Sequence, residues 1–139
     1  MGVNTQAFRF LLTALEGRST FKRIATLGRQ ELRINKGSIR KELKAYGFND
    51  EALQKECNET IFLDELCFAL GLDCVHSFDI NESEGATFIV DLNKPINEDF
   101  YEKYDMVIDF GTTEHTMNPP GVIDNISRLV KRGGLVLMS

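Results

Sequence analysis

Two rhythms of apolar residues alternate along the chain and predict an α/β layer. Residues 5–16 (TQAFRFLLTALE) place Phe8, Leu11, Leu12 and Leu15 at helical spacing before Gly17. Residues 21–28 (FKRIATLG) form a short apolar run ending in Gly, as a buried strand does. Residues 38–46 (SIRKELKAY) read as a helix with Ser38 as N-cap and Gly47 as stop, and FNDEALQKEC as a second short helix capped by Asn49. Residues 58–71 (NETIFLDELCFALG) read as a further amphipathic helix, with Ile61, Leu66 and Leu70 on one face.

Three strand candidates follow: 73–80 (DCVHSFDI), 86–93 (ATFIVDLN) and 104–111 (YDMVIDFG). A helix over 119–134, with Val122, Ile126, Leu129 and Val130 inward, stops at Gly133-Gly134 and leads to a last strand, LVLMS. Continuous runs such as Met106-Val107-Ile108 suit strands covered on both faces, so the sheet is expected to be mainly parallel. The stretch 29–57 exceeds one crossover helix and reads as an insertion after the first strand, over the carboxyl edge of the sheet.

Composition narrows the function classes. The chain of 139 residues suits one domain, and its 42% apolar and 27% charged content is that of an ordinary globular protein. A net charge of −5 argues against a nucleic-acid or anionic-membrane partner, which needs clustered Lys and Arg. No apolar run approaches the roughly 20 residues that cross a bilayer, and no leader is evident. Cys57, Cys67 and Cys74 match no zinc spacing and read as reduced thiols of a cytoplasmic protein.

The stretch YDMVIDFGTTEHTMNPPG holds two tempting motifs. Asp109-Phe110-Gly111 spells the DFG of protein kinases, but the glycine-rich loop, strand lysine and catalytic loop that kinases need are missing. Glu114 and His115 are adjacent, and neighbouring helical positions diverge by about 100°, so they do not converge on a metal. More informative is the order of strand ends. Gly28, Asp79, Asp91 and Gly111 close four successive strands, where open parallel sheets bind ligands. An acid after the second strand can accept two hydrogen bonds from a ribose diol, and one after the third can accept from an adenine amino group. The chain is thus expected to take a nucleoside-containing ligand.

On these residues, and best over 73–139, the chain resembles the class I S-adenosylmethionine-dependent methyltransferases. SFDI and EGATFIVDLNKPI are similar to their second and third strands, and YDMVIDFGTTEHTMNPPGVIDNISRLVKRGGLVLMS to their fourth strand, loop, helix and fifth strand. The resemblance implies a Rossmann-like, doubly wound parallel sheet of about five strands with flanking helices, lacking the terminal antiparallel strand pair. It implies that Asp79 holds the ribose, Asp91 and Leu92 the adenine, and Phe110 and Gly111 the methionine side, with Gly28, Arg29 and Ile80 completing the cofactor set. Methyl transfer to a small-molecule acceptor follows, with His115 as candidate general base and Glu114 assisting.

Two departures set up the alternative. After the first strand stands ATLGRQELR, with Gly28 alone where the family carries two or three glycines, and Arg29 behind it. The terminal strand pair is also missing, which implies either a chain that continues or a minimal domain, and an exposed fifth strand prone to self-association. A catalytically inactive, methyltransferase-like binding or structural module is therefore the second expectation. A nicotinamide-dependent oxidoreductase would need G-x-G-x-x-G after the first strand, which is absent.

Overall fold

The computed structural model describes residues 2–50, 53, 60–67 and 69–139. Seven strands and three α-helices follow one another in these segments. They are β1 (Gly2–Val3), α1 (Thr5–Leu15), β2 (Arg23–Leu27), β3 (Glu31–Leu32), α2 (Lys36–Ala45), β4 (Cys74–Asp79), β5 (Phe88–Ile89), β6 (Tyr104–Asp109), α3 (Pro119–Leu129) and β7 (Val130–Met138). Five strands form one sheet in the order β5-β4-β2-β6-β7, with every pairing parallel. β1 and β3 form a separate parallel pair. The architecture is α/β, a five-stranded parallel sheet flanked by helices, and is compatible with Rossmann-like folds. No helix among the described residues is long and apolar enough to cross a membrane.

Strand periodicity divides the core in two. On β2, Ile24 packs with the four apolar residues of α1, while Ala25 and Leu27 pack with Val122, Ile126 and Leu129 of α3. On β6, Met106 and Ile108 join the α1 side and Val107 the α3 side. The sheet is therefore covered on both faces, as its unbroken apolar runs require. Leu32, Ile39 and Leu43, from the stretch after β2, also join the α1 side.

Helix ends follow local chemistry. Asn4 accepts from the Ala7 N–H at 2.9 Å and starts α1. The cap of α2 is Asn35, which accepts from the Ser38 N–H at 2.8 Å, so the helix begins two residues before the expected Ser38. The second short helix expected after Asn49 lies largely outside the described residues. Over 58–71 the described residues contain only a 3₁₀ turn, Leu63–Leu66, rather than an α-helix. Backbone pairing explains the difference. The Leu32 N–H donates to the Ile61 carbonyl at 2.8 Å and the Leu63 N–H to the Gln30 carbonyl at 2.9 Å, which holds this segment extended beside β3.

The end of the chain departs from expectation in an instructive way. α3 stops at Leu129 and β7 begins at Val130, opposite Tyr104, while Leu135 pairs with Met106. The residues between loop out as a bulge, so Gly133-Gly134 is not the helix stop but the bulge itself. A Cβ on Gly134 would lie 2.7 Å from the Asp105 carbonyl oxygen, so no other residue fits. β7 pairs with β6 alone among the described residues and exposes Val136 and Met138.

β5 is shorter than the expected 86–93: its last tie to β4 is the Val90 N–H donating to the Asp79 carbonyl at 2.7 Å, and at Asp91 the chain enters a turn. Residues 80–87 join the parallel strands β4 and β5 without a helix. Aromatic rings cover the gap. Phe78, Phe88 and Phe100 stack with centroids 4.8–5.1 Å apart, and His76 and Tyr104 close the group.

Here His76 Nδ1 lies 2.9 Å from the Tyr104 hydroxyl. Burial pushes the Tyr104 phenol up to about 12. Burial, and then the Arg23 charge, hold His76 below the usual histidine value. A pH dependence follows. The imidazole is kept neutral by folding, so its contribution is complete above the unfolded value near 6.5 and is lost as pH falls through the lower folded one. Thermal melts should show stability falling from pH 7 toward 5, and His76→Gln should flatten that slope. An unchanged slope would assign it to other groups.

Candidate functional site

The carboxyl ends of β2, β4, β5 and β6 meet around a cleft of ≈ 330 Å³. In this strand order the chain runs outward from β2 to β5 and then crosses to β6, so the cleft sits where the order reverses. Gly28 supplies its floor after β2, Asp79, Ile80, Asn81 and Glu84 one wall, and Val90 to Asn93 the next. Thr112, His115, Thr116 and Met117 from the loop after β6 close the remaining side.

The floor is built on a left-handed glycine. Gly28 has φ +72°, and its N–H donates to the Phe78 carbonyl at 2.8 Å, tying the end of β2 to that of β4. A Cβ there would lie 3.1 Å from Thr112 Oγ1 and 3.6 Å from Asp79 Oδ2. The missing side chain thus leaves open the space between a carboxylate and a hydroxyl. Thr112 Oγ1 donates to the Leu27 carbonyl at 2.7 Å and pins the post-β6 loop to β2. Gln30 Nε2 donates to that same carbonyl at 2.8 Å, and Gln30 Oε1 is buried without a partner among the described residues.

The two walls repeat a local device. β4 ends in Asp79-Ile80-Asn81, and shortly after β5 comes Asp91-Leu92-Asn93. In each, the Asn backbone N–H donates to the Asp Oδ1 at 3.1 Å, an Asx turn that fixes the carboxylate at the cleft. The Asn93 side chain adds a second bond to Asp91 Oδ1 at 3.0 Å, and this bonding is the main cause that holds Asp91 below the usual carboxylate range. Asn93 Oδ1 also accepts from the N–H groups of Met117 (2.9 Å) and Asn118 (3.0 Å), locking the far loop against this wall. Asn118 in turn caps α3 through the Gly121 N–H at 3.2 Å.

The structure brings together Gly28, Asp79, Ile80, Asp91, Leu92 and His115 of the residues singled out in the sequence. The others lie elsewhere. Phe110 has the parity of Met106 and Ile108 and is buried in the α1-side core. Gly111 and Glu114 line a separate cleft of ≈ 420 Å³ with Asp109, Thr113, Pro119, Met138 and Ser139. Thr113–His115 forms the 3₁₀ turn between the two clefts. Glu114 Oε1 lies 3.5 Å from His115 Nε2, and both side chains are 70% exposed.

Arg29 follows Gly28 but does not line the cleft. Its Nε and Nη2 donate to the two Asp64 carboxylate oxygens at 3.1 and 2.9 Å, and this bonding raises the guanidinium above its usual value. Nη1 donates to the Glu84 carbonyl at 2.7 Å, and the group lies over the Phe62 ring at 3.9 Å. Arg29 therefore clamps the wall loop 80–87 to the segment before β4. Arg29→Ala should speed amide exchange across 80–87 about tenfold or more, and Arg29→Lys should not restore it, since an ammonium lacks the planar fork. Exchange unchanged in both variants would show that the loop holds without the clamp.

Sequence reasoning does not reach Asn81, Glu84, Val90, Asn93, Thr116 and Met117. The repeated D-x-N at 79–81 and 91–93 was a usable signal for the two asparagines. Thr112 belongs to the loop after the fourth strand that the resemblance places over the cofactor, but its bond to the Leu27 carbonyl depends on β2 and β6 lying side by side. Among the described residues no group of three His, Cys, Asp or Glu could hold a metal ion. Comparison with known proteins returns no matching family model, no matching curated protein and no matching solved structure.

Proposed function

We propose that the domain is a doubly wound, Rossmann-like member of the class I methyltransferase type, and that its cleft binds S-adenosylmethionine for methyl transfer to a small-molecule acceptor. One observation carries the reading. Two Asx-held carboxylates, Asp79 and Asp91, stand at or just after the ends of adjacent strands around a glycine floor, and among the described residues no Lys or Arg lines the cleft. Nor does β2 run into a helix N-terminus. The chain passes through Gly28 to β3, so the usual seat for a phosphate is missing. A donor set of carboxylates, amides and hydroxyls without cations suits a nucleoside bearing positive charge and disfavours nucleotides.

The residues fit the group. Asp79, with Oδ1 held by Asn81, has Oδ2 facing the floor at Gly28, and the pair suits a vicinal diol. Asp91, Leu92 and Ile80 offer an acceptor and apolar walls for a base. When bound, S-adenosylmethionine supplies an electrophilic methyl group on a cationic sulfur. The protein's part is alignment, because an in-line displacement gains most from held geometry. His115, exposed at the cleft, can take the proton of an acceptor hydroxyl or amine.

The second reading, a binding module without chemistry, draws on the same histidine. An acid–base pair that is 70% exposed lacks the enclosure that commonly tunes catalytic groups. Thermal-shift measurements with S-adenosylmethionine, ATP and NAD test the proposal. Stabilisation by S-adenosylmethionine alone supports it, and stabilisation by ATP or NAD but not S-adenosylmethionine overturns it. Binding without transfer to any acceptor in a nucleophile panel would favour the second reading.

A further inference from the structure

The backbone of Gly28 is already bonded within the protein. Its N–H donates to the Phe78 carbonyl at 2.8 Å, and its carbonyl accepts from Thr26 Oγ1 at 2.8 Å. Across the gap stands Thr112, which is held on three sides. Its hydroxyl donates to the Leu27 carbonyl at 2.7 Å and its N–H to Asp109 Oδ1 at 2.7 Å, while its carbonyl accepts from the His115 N–H at 3.0 Å. A hydroxyl owns one hydrogen and two lone pairs. With the hydrogen committed to Leu27, Thr112 Oγ1 offers the cleft lone pairs alone. The point where a Gly28 Cβ would stand lies 3.1 Å from that oxygen and 3.6 Å from Asp79 Oδ2. Both side-chain oxygens that border this gap are therefore acceptors.

We infer that Thr112 is a ligand-contact residue, its hydroxyl oxygen accepting a hydrogen bond from a donor group, a hydroxyl or an ammonium, that the ligand sets on the glycine floor. The inference rests on the proposed cofactor reading and deepens it. S-adenosylmethionine carries both kinds of donor, one on its ribose and the other on its amino-acid tail. An oxyanion in the same gap would meet two acceptor oxygens and gain nothing from either. Because Thr112 is fixed through three bonds, its oxygen is in place before the ligand arrives, and little ordering remains to be done on binding.

The test compares wild type, Thr112→Val and Thr112→Ser with three compounds, titrated by ligand-observed NMR so that weak binding is measurable. They are S-adenosylmethionine, methylthioadenosine, which keeps the ribose and lacks the amino-acid tail, and dideoxyadenosine, which also lacks both ribose hydroxyls. Valine matches threonine in shape and removes the oxygen. The Leu27 carbonyl keeps its bond from Gln30 Nε2 in that variant, and circular dichroism checks the fold. The expected result is that Thr112→Val binds S-adenosylmethionine at least about threefold more weakly, the effect of one hydrogen bond, and that Thr112→Ser retains wild-type affinity. A similar loss with methylthioadenosine but none with dideoxyadenosine supports the inference and makes the donor a ribose hydroxyl. A loss confined to S-adenosylmethionine supports it and makes the donor the ammonium. Unchanged affinity in Thr112→Val, or an equal loss in Thr112→Ser, overturns the contact and leaves the cofactor reading standing. An equal loss with all three compounds overturns it too, since Thr112 would then act only by supporting the floor. Failure of the folded wild-type chain to bind any of the three removes the cofactor reading and this inference together.

Discussion

Asp79→Asn should weaken S-adenosylmethionine binding by at least about tenfold and leave the melting temperature where it was. Hydrogen bonds to a charged acceptor contribute roughly 1.5–3 kcal/mol each, and a ribose diol offers two. The amide keeps an oxygen for the Asn81 N–H, so the Asx turn at the end of β4 survives. The charge and the second acceptor are lost. A surface substitution that spares its local turn changes stability by no more than about 0.5 kcal/mol. Titration calorimetry gives the affinity and a thermal melt the fold. Unaltered affinity in a normally melting variant would remove the ribose role from Asp79.

Gly28→Ala should abolish binding and also cost stability. At φ +72° an alanine carries a left-handed penalty on the order of 1 kcal/mol. Its Cβ, 3.1 Å from Thr112 Oγ1, must also displace the hydroxyl that holds the Leu27 carbonyl. The methyl then stands between Asp79 and Thr112, where the cleft floor is now open. Gly17→Ala is the control. Its φ is also +72°, but a Cβ there meets nothing within 4 Å. Both variants should melt a few degrees lower, and only Gly28→Ala should lose the ligand. Wild-type affinity in Gly28→Ala would show that the ligand does not approach this floor.

Elements whose signal is local were legible in the sequence. Phe8, Leu11, Leu12 and Leu15 mark α1, and the apolar runs ending at Leu27, Asp79 and Asp109 mark the three central strands. What escaped depended on partners far along the chain. Gly133-Gly134 looks like a helix stop until β7 is laid against β6, when the close Asp105 carbonyl makes the pair a bulge. Residues 61–63 carry a helical apolar pattern, yet their backbone bonds go to residues 30 and 32.

The site divides the same way. Acids at strand ends could be read, because a parallel sheet places strand ends together. The side of the loop that each residue faces could not. Glu114 and His115 are neighbours in sequence, and the 3₁₀ turn sends them to different clefts. Phe110 could have been placed from the alternation along β6, whereas the turn of Arg29 toward Asp64 had no local sign.

The central claim is that the cleft at the ends of β2, β4, β5 and β6 is built for S-adenosylmethionine. Isothermal titration of the folded chain with that compound, with Asp79→Asn alongside, addresses it most directly. The account predicts saturable binding at one site per chain and a loss of about tenfold or more in the variant. Absence of binding to a chain that circular dichroism shows to be folded, or equal binding by both proteins, would contradict it.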